Sequence, residues 1–364
     1  MRLKTLSIAM GVSTLAALGG LYYWQRSPIL VEESPDFQVK SLDSVDALPN
    51  EYFANLSLPS PSTREGRVVT RGNVSKAVVK LYNKNYSGFV PLGSSGFIIH
   101  PDGYALTNAH VIMSAPRKVI AETITGEKIA TDFTLLGIND CADIALIKLE
   151  MAKPTSFPWL EVASDTPEIS WASIYGFAGG KDLYATQGIS VHLPNSNVSP
   201  IKPLLRVNSM IGGGSSGGPI LNSKLQVIGL NSQQIPKIFS GRSTNAGLSV
   251  AGIRRNIQAF QTQKFVQATG IGIGYSNPQS ISEGKAVANN LVLVVIPGSP
   301  AAQKGIQTGQ VIKSINGTTL PKIEVDPTNR KEVQAAGRMI LEKQTRVCQS
   351  LRQTNPADYQ FEIR

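Results

Sequence analysis

Long helical periodicity is scarce through the first 250 residues of this chain. Short apolar or alternating runs recur there instead, each followed by a turn signal. Residues 77–82, 96–99, 104–107, 144–149 and 225–230 are runs of this kind, and Pro101-Asp102-Gly103 is a typical break between two of them. Side chains that alternate with a period of two, over runs too short for a helix of ordinary length, predict strands. The 33 glycines and 22 prolines follow no fixed period, so they supply turns and not a fibrous repeat. The expectation is a mainly β body of antiparallel barrels or sandwiches. Residues 254–268 read as one helix closing that body.

The texture changes after residue 269. A glycine-rich opening, Gly270-Ile271-Gly272-Ile273-Gly274, leads to predicted strands at 290–296 and 311–315. A short helix at 299–304, a helix at 330–343 and a last strand at 359–363 complete a small α+β module. Four segments follow: 1–26, 27–66, 67–268 and 269–364.

In the first segment Arg2 and Lys4 precede an uncharged stretch ending at Trp24, closed by Arg26. About 20 apolar residues suffice to span a bilayer. Tyr22-Tyr23-Trp24 suits an interfacial aromatic belt, so an uncleaved anchor with residue 1 in the cytoplasm is expected. The alternative is a secretory signal with Ala17-Leu18-Gly19 as its cleavage site. Residues 27–66 carry Pro28, Pro35, Pro49, Pro59 and Pro61 and read as a tether.

Hydrophobic residues make up 41% of the chain and charged residues 16%, enough to build a core and too apolar for a disordered chain. The formal charge of +10 raises the question of nucleic acid. The lysines and arginines are scattered and accompany no nucleic-acid-binding signature, so a basic soluble surface is expected and no nucleic-acid partner. Cys141 and Cys348 lie far apart; they imply no disulfide framework and read as small buried residues.

The chemistry centres on Gly214-Ser215-Ser216-Gly217-Gly218-Pro219. A serine hydroxyl attacks only when a base takes its proton, and the oxyanion it creates needs backbone N–H groups aimed at it. Glycines beside the serine let the chain turn sharply and present those amides. Gly214-x-Ser216-x-Gly218 also fits the nucleophile elbow of α/β-hydrolases, but those enzymes place the histidine after the serine. His100, His110 and His192 all precede Ser216. His110 ends the segment Leu106-Thr107-Asn108-Ala109-His110, just past a predicted strand. His100 sits at a polar turn where a solvated role is expected, and His192 in a loop. Asp143, at the head of the run 144–149, is preferred over Asp140 as the carboxylate that orients the imidazole.

Thr107-Asn108-Ala109-His110-Val111, Ala142-Asp143-Ile144-Ala145-Leu146 and the Ser216 segment together resemble the three signatures of the HtrA/Deg serine proteases. Gly93-Ser94-Ser95-Gly96-Phe97-Ile98-Ile99 and Gly247-Leu248-Ser249-Val250 resemble that family too, and the similarity spans roughly residues 70–315. The resemblance implies a two-β-barrel trypsin-like protease domain followed by a PDZ-like domain. It implies a serine endopeptidase with His110, Asp143 and Ser216 as its triad, the amides of Gly214 and Ser216 as oxyanion hole, and no metal or cofactor. A catalytically weak, chaperone-like binding module is the alternative.

The resemblance further implies a substrate pocket based on Met210 and flanked by Ile211. Gly270, Ile271, Gly272 and Ile273 would form a loop for peptide C-termini. Unfolded or regulatory proteins would be substrates, the assembly a homotrimer using Tyr52-Phe53, and the location the periplasmic face of a bacterial inner membrane. This chain departs from the family in two places. Ser215 stands where family members have Asn, and the PDZ-like domain is expected to lack its last strand.

Overall fold

The computed structural model describes residues 74–82, 93–114, 120–151, 158–165, 167–180, 182–193, 203–209, 211–235, 244–261, 273–276, 286–288, 290–320, 322–326 and 329–363. The expected anchor 1–26, the tether, Tyr52-Phe53, Met210 and Gly270 to Gly272 fall outside them. Among the described residues no helix is long and apolar enough to cross a membrane.

Six strands close the first barrel: β1 (Val78–Tyr82), β2 (Ser94–Ile98), β3 (Tyr104–Thr107), β4 (Ile120–Glu122), β5 (Lys128–Asn139) and β6 (Ile144–Met151), in the order β1-β2-β3-β6-β5-β4. Six more close the second: β7 (Ile169–Gly176), β8 (Tyr184–Leu193), β9 (Leu204–Val207), β10 (Pro219–Leu221), β11 (Val227–Ile235) and β12 (Thr244–Ser249), in the order β10-β11-β12-β9-β8-β7. All the pairings are antiparallel. Closure leaves no free edge for another chain to extend.

β6 explains why one of these strands reads as an almost unbroken apolar run. Ala145, Ile147 and Leu149 point into the first barrel with Val79, Leu81, Ile98 and Ile138. Ile144 and Leu146, on the opposite face, join Phe97, Leu106, Phe177, Leu221, Leu230 and Leu248 in an apolar layer shared by both barrels. A strand buried on both faces has no polar side to alternate with. Helix Val250–Phe260 packs into this layer through Ile253, Ile257 and Phe260.

The C-terminal module holds β13 (Ile273–Ser276), β14 (Ala286–Ala288), β15 (Leu291–Val295), β16 (Ile312–Ile315), β17 (Thr318–Thr319), β18 (Ile323–Val325) and β19 (Phe361–Ile363). β13 pairs with β15, β14 with β18, and β16 lies between β17 and β19. The short helix Pro300–Gln303 is capped by Ser299, whose Oγ accepts from Ala302 N at 3.2 Å. The long helix runs from Arg330 to Gln353, nearly three turns beyond the predicted 343, and Asn329 caps its start. Val347, Leu351 and the fully buried Tyr359 cover Val292, Ile312 and Ile315.

Three expectations need correction. Cys141 and Cys348 are not separate thiols: they form a disulfide across 207 residues of sequence, with Cα atoms 5.8 Å apart. Spatial proximity of two distant segments creates the pair, and local spacing carries no trace of it. His100 is not solvated; it is 4% exposed, its Nδ1 accepts from Asp102 N at 3.2 Å, and the Tyr104 ring meets it edge-on. His192 is a strand residue near the end of β8, paired with Leu205 of β9. Burial lowers its pKa, against the pull of Glu168.

Lys343, on the long helix, has its pKa lowered by burial from 10.5 to about 8. The ammonium is the form penalised on folding. Between about pH 8 and 10.5 the unfolded chain therefore holds a proton that the folded chain has released, and stability rises with pH across that window. Lys343→Met should stabilise the protein at pH 7, and the gain should shrink towards pH 10.5. Chemical denaturation of both proteins at several pH values checks this; a gain that does not change with pH would refute it.

Candidate active site

β3 ends at Thr107, and the chain enters helix Ala109–Ser114 with His110 in its first turn. The turn from β5 to β6 supplies Asp143. This turn is built by side chains: Asn139 Oδ1 accepts from Ala142 N at 2.9 Å, and Asn139 Nδ2 donates to Asn256 Oδ1 at 2.7 Å. Asp143 N donates to Asp140 O at 3.2 Å, so Asp140 is the turn residue and Asp143 the one presented. Asp143 has φ 58°, a left-handed conformation uncommon for a residue with a Cβ, though aspartate and asparagine adopt it more readily than most. Asn108 Nδ2 holds it by donating to the Asp143 carbonyl at 2.8 Å.

The Asp143 carboxylate collects three donors. His110 N reaches Oδ1 at 3.1 Å; His110 Nδ1 lies 2.9 Å from Oδ1 and 3.1 Å from Oδ2; Ser232 Oγ donates to Oδ2. A carboxylate only accepts, so the imidazole proton sits on Nδ1 and Nε2 carries the lone pair. Both side chains are mostly buried, at 22% and 16% exposure, and water competes weakly for this contact.

Ser216 comes from the second barrel, in the segment between β9 and β10. Its Oγ donates to Ser232 O at 3.1 Å. Ser232 on β11 thus touches both parts, its carbonyl on Ser216 and its hydroxyl on Asp143. Ser215, by contrast, faces inward and is 3% exposed; its Oγ donates to Gly212 O at 2.7 Å and accepts from Asn231 Nδ2 at 3.1 Å. The two glycines after Ser216 are required by space. A Cβ on Gly217 would lie 2.0 Å from Ser95 O, and one on Gly218 would lie 1.9 Å from Tyr175 O.

Ser95, in the glycine-rich stretch before β3, holds the serine loop from the other barrel. Its N–H donates to Ser216 O at 2.8 Å, its Oγ donates to Gly214 O at 2.9 Å, and that same Oγ accepts from Phe177 N at 2.9 Å. Backbone pairing among the described residues leaves the N–H groups of Gly214 and Ser216 without a backbone acceptor.

His110, Asp143 and Ser216 therefore converge through direct or one-residue contacts, with Gly214 beside them. Ile211 is 5% exposed and packs in the second barrel with Ile174, Leu205 and Ile220. Ile273 begins β13 of the C-terminal module. Sequence reading missed Ser95, Asn108, Asn139 and Ser232 as supports of the site. A lone serine or asparagine carries no local signal of a partner a hundred residues away.

Residues 94–230 match the family of the trypsin-like peptidase domain, and residues 291–338 match the PDZ domain. A protein of Ectopseudomonas mendocina named "Probable periplasmic serine endoprotease DegP-like" is 32% identical over 234 residues, which is 61% of this chain and 47% of that protein. One of the same name in Rickettsia conorii is 30% identical over 239 residues, 61% of this chain and 45% of that protein. The chain spans about half the length of these curated relatives. Among solved structures, the serine endoprotease from Yersinia pestis overlays with a TM-score of 0.43 and 22% identity, covering 68% of this chain and 81% of that one.

Removing the Ser95 hydroxyl leaves Phe177 N–H and Gly214 C=O without their partner. A buried group stripped of its hydrogen bond costs about 1–3 kcal/mol. Ser95→Ala should lower stability by that amount in denaturant unfolding; an unchanged midpoint would count against this role.

Proposed function

We propose that the chain is a serine endopeptidase of the HtrA/Deg type working by acyl transfer; its trypsin-like peptidase and PDZ matches and its likeness to DegP-like proteases support this. The observation that carries the reading is the Asp143 carboxylate gripping His110 Nδ1, with Ser232 linking the same carboxylate to Ser216. In this mechanism the Ser216 hydroxyl swings from Ser232 O to His110 Nε2, which takes its proton as Oγ attacks the peptide carbonyl. Asp143 stabilises the imidazolium without taking the proton itself. The N–H groups of Gly214 and Ser216 receive the oxyanion. His110 then protonates the leaving amine, and water activated by the same imidazole releases the acyl group from Ser216.

Unfolded or regulatory proteins in the periplasm are the proposed substrates, and the C-terminal module the proposed regulatory or peptide-binding part. The Cys141–Cys348 disulfide supports an exported location, since such bonds persist in oxidising compartments. The N-terminal stretch is proposed to hold the protein at the membrane.

Labelling with a fluorophosphonate probe, alongside digestion of an unfolded protein, tests the reading. Ser216→Ala should abolish labelling and lower cleavage by about three or more powers of ten. Ser215→Ala, whose hydroxyl is turned inward, should still be labelled. Equal loss from both substitutions would move the nucleophile elsewhere.

The substrate pocket is proposed to rest on Met210, with no carboxylate at that position to pair a Lys or Arg side chain. A buried cation without a partner bears its full desolvation cost. Cuts should therefore follow apolar residues such as Val, Leu or Met, with discrimination among them of only about 1–3 kcal/mol. Mass spectrometry of the fragments decides this, and a majority of cuts after Lys or Arg would refute it.

A further inference from the structure

The Cys141–Cys348 bond joins the two parts of the chain at a point that matters chemically. Cys141 stands two residues before Asp143, inside the turn that presents it. Its side chain is 6% exposed and belongs to the apolar core of the C-terminal module, with Val292, Val347, Leu351 and Tyr359. The first barrel thus inserts one residue of the Asp143 turn into the other module and is bonded there to the long helix Arg330–Gln353.

A second contact reaches the other half of the pair. β13 and β15 of the C-terminal module pack against helix Ala109–Ser114, which carries His110. Ile296, just past β15, lies in the same apolar cluster as Ala109, Val111 and Ile112. One module therefore bears on His110 by packing and on Asp143 by a covalent bond.

The Asp143 turn needs such support. Its φ of 58° is a costly conformation, maintained from the barrel side by Asn108 and Asn139. On the opposite side the neighbouring residue is Cys141, and what holds Cys141 is the C-terminal core. Contacts between modules of one chain ordinarily open and close. The disulfide keeps this contact closed.

Resting on the protease reading above, we propose that the C-terminal module is a positioning part of the His110–Asp143 pair, with the Cys141–Cys348 disulfide as its strut. Cutting the strut lets the Asp143 turn relax and lowers turnover while substrate binding is spared.

The test uses the full chain as oxidised wild type, as wild type reduced by dithiothreitol, and as Cys141→Ala and Cys348→Ala variants. Dithiothreitol gives up two electrons and two protons as it closes its own ring, leaving two thiols on the protein. kcat and KM are measured on a small fluorogenic peptide, with hydrogen exchange at residues 109–114 and 139–145 and a thermal melt alongside. Breaking the bond should lower kcat about tenfold to a hundredfold, the range for a displaced catalytic group, and leave KM within about twofold. Exchange in both segments should accelerate. Reoxidation should restore the wild type, and dithiothreitol should change neither Ala variant.

An unchanged kcat, or a rise in KM alone, overturns the proposal. So does a loss of kcat in every reduced or substituted form that tracks melting of the C-terminal module, because the bond is then only a staple of that module. Oxidised wild type that takes no fluorophosphonate defeats the protease reading, while faster exchange on reduction would still support the strut.

Discussion

Two closed barrels share a single apolar layer, and the site exists only where they meet. His110 and Asp143 come from the first barrel, Ser216 and Ser232 from the second. Neither barrel alone holds all three of His110, Asp143 and Ser216. The shared layer of Phe97, Leu106, Ile144, Leu146, Phe177, Leu221 and Leu248 brings the two sets together. Burial of that much apolar surface favours one mutual arrangement, and polar bonds then set it at the site. The bond from Ser232 Oγ to Asp143 crosses between the barrels, and so does that from Ser95 N to Ser216 O.

The hydrogen bonds around this contact divide into two kinds. Asn108, Asn139 and Asn256 secure the Asp143 turn within the first barrel and its covering helix. Ser95 and Asn231 secure the serine loop, Ser95 from the facing barrel and Asn231 through Gly217 N and the Ser215 side chain. These bonds lie in or beside the core, so the side chains of His110, Asp143 and Ser216 rest on supports that are costly to displace. The Ser215 hydroxyl plays the same inward role by bonding Gly212 O.

The C-terminal module is more than an appendage in this arrangement. Its strands pack on the helix of His110, and its core receives Cys141. Coupling between distant parts of a protein needs physical contact that differs between states. Here the contact is covalent on one side and apolar on the other, and both end within two residues of the site.

The chain alone determined the barrels' strands where alternation or continuous apolar runs were strong, as at 104–107 and 144–149. It also determined the order of His110, Asp143 and Ser216, because glycines and short motifs surround chemistry that tolerates few alternatives. Other parts were hidden in it for definite reasons. β5 breaks its alternation at register shifts near Ala130 and Leu135, where the chain bulges. β11 continues through Asn231, Ser232 and Gln233 because backbone pairing with β12 does not require apolar side chains. The burial of His100, the bridging position of Ser232 and the Cys141–Cys348 bond were decided only by the tertiary structure. Each depends on which distant segments the shared apolar layer and the C-terminal core press together, and proximity of that kind leaves no periodic mark on the residues that come to share it.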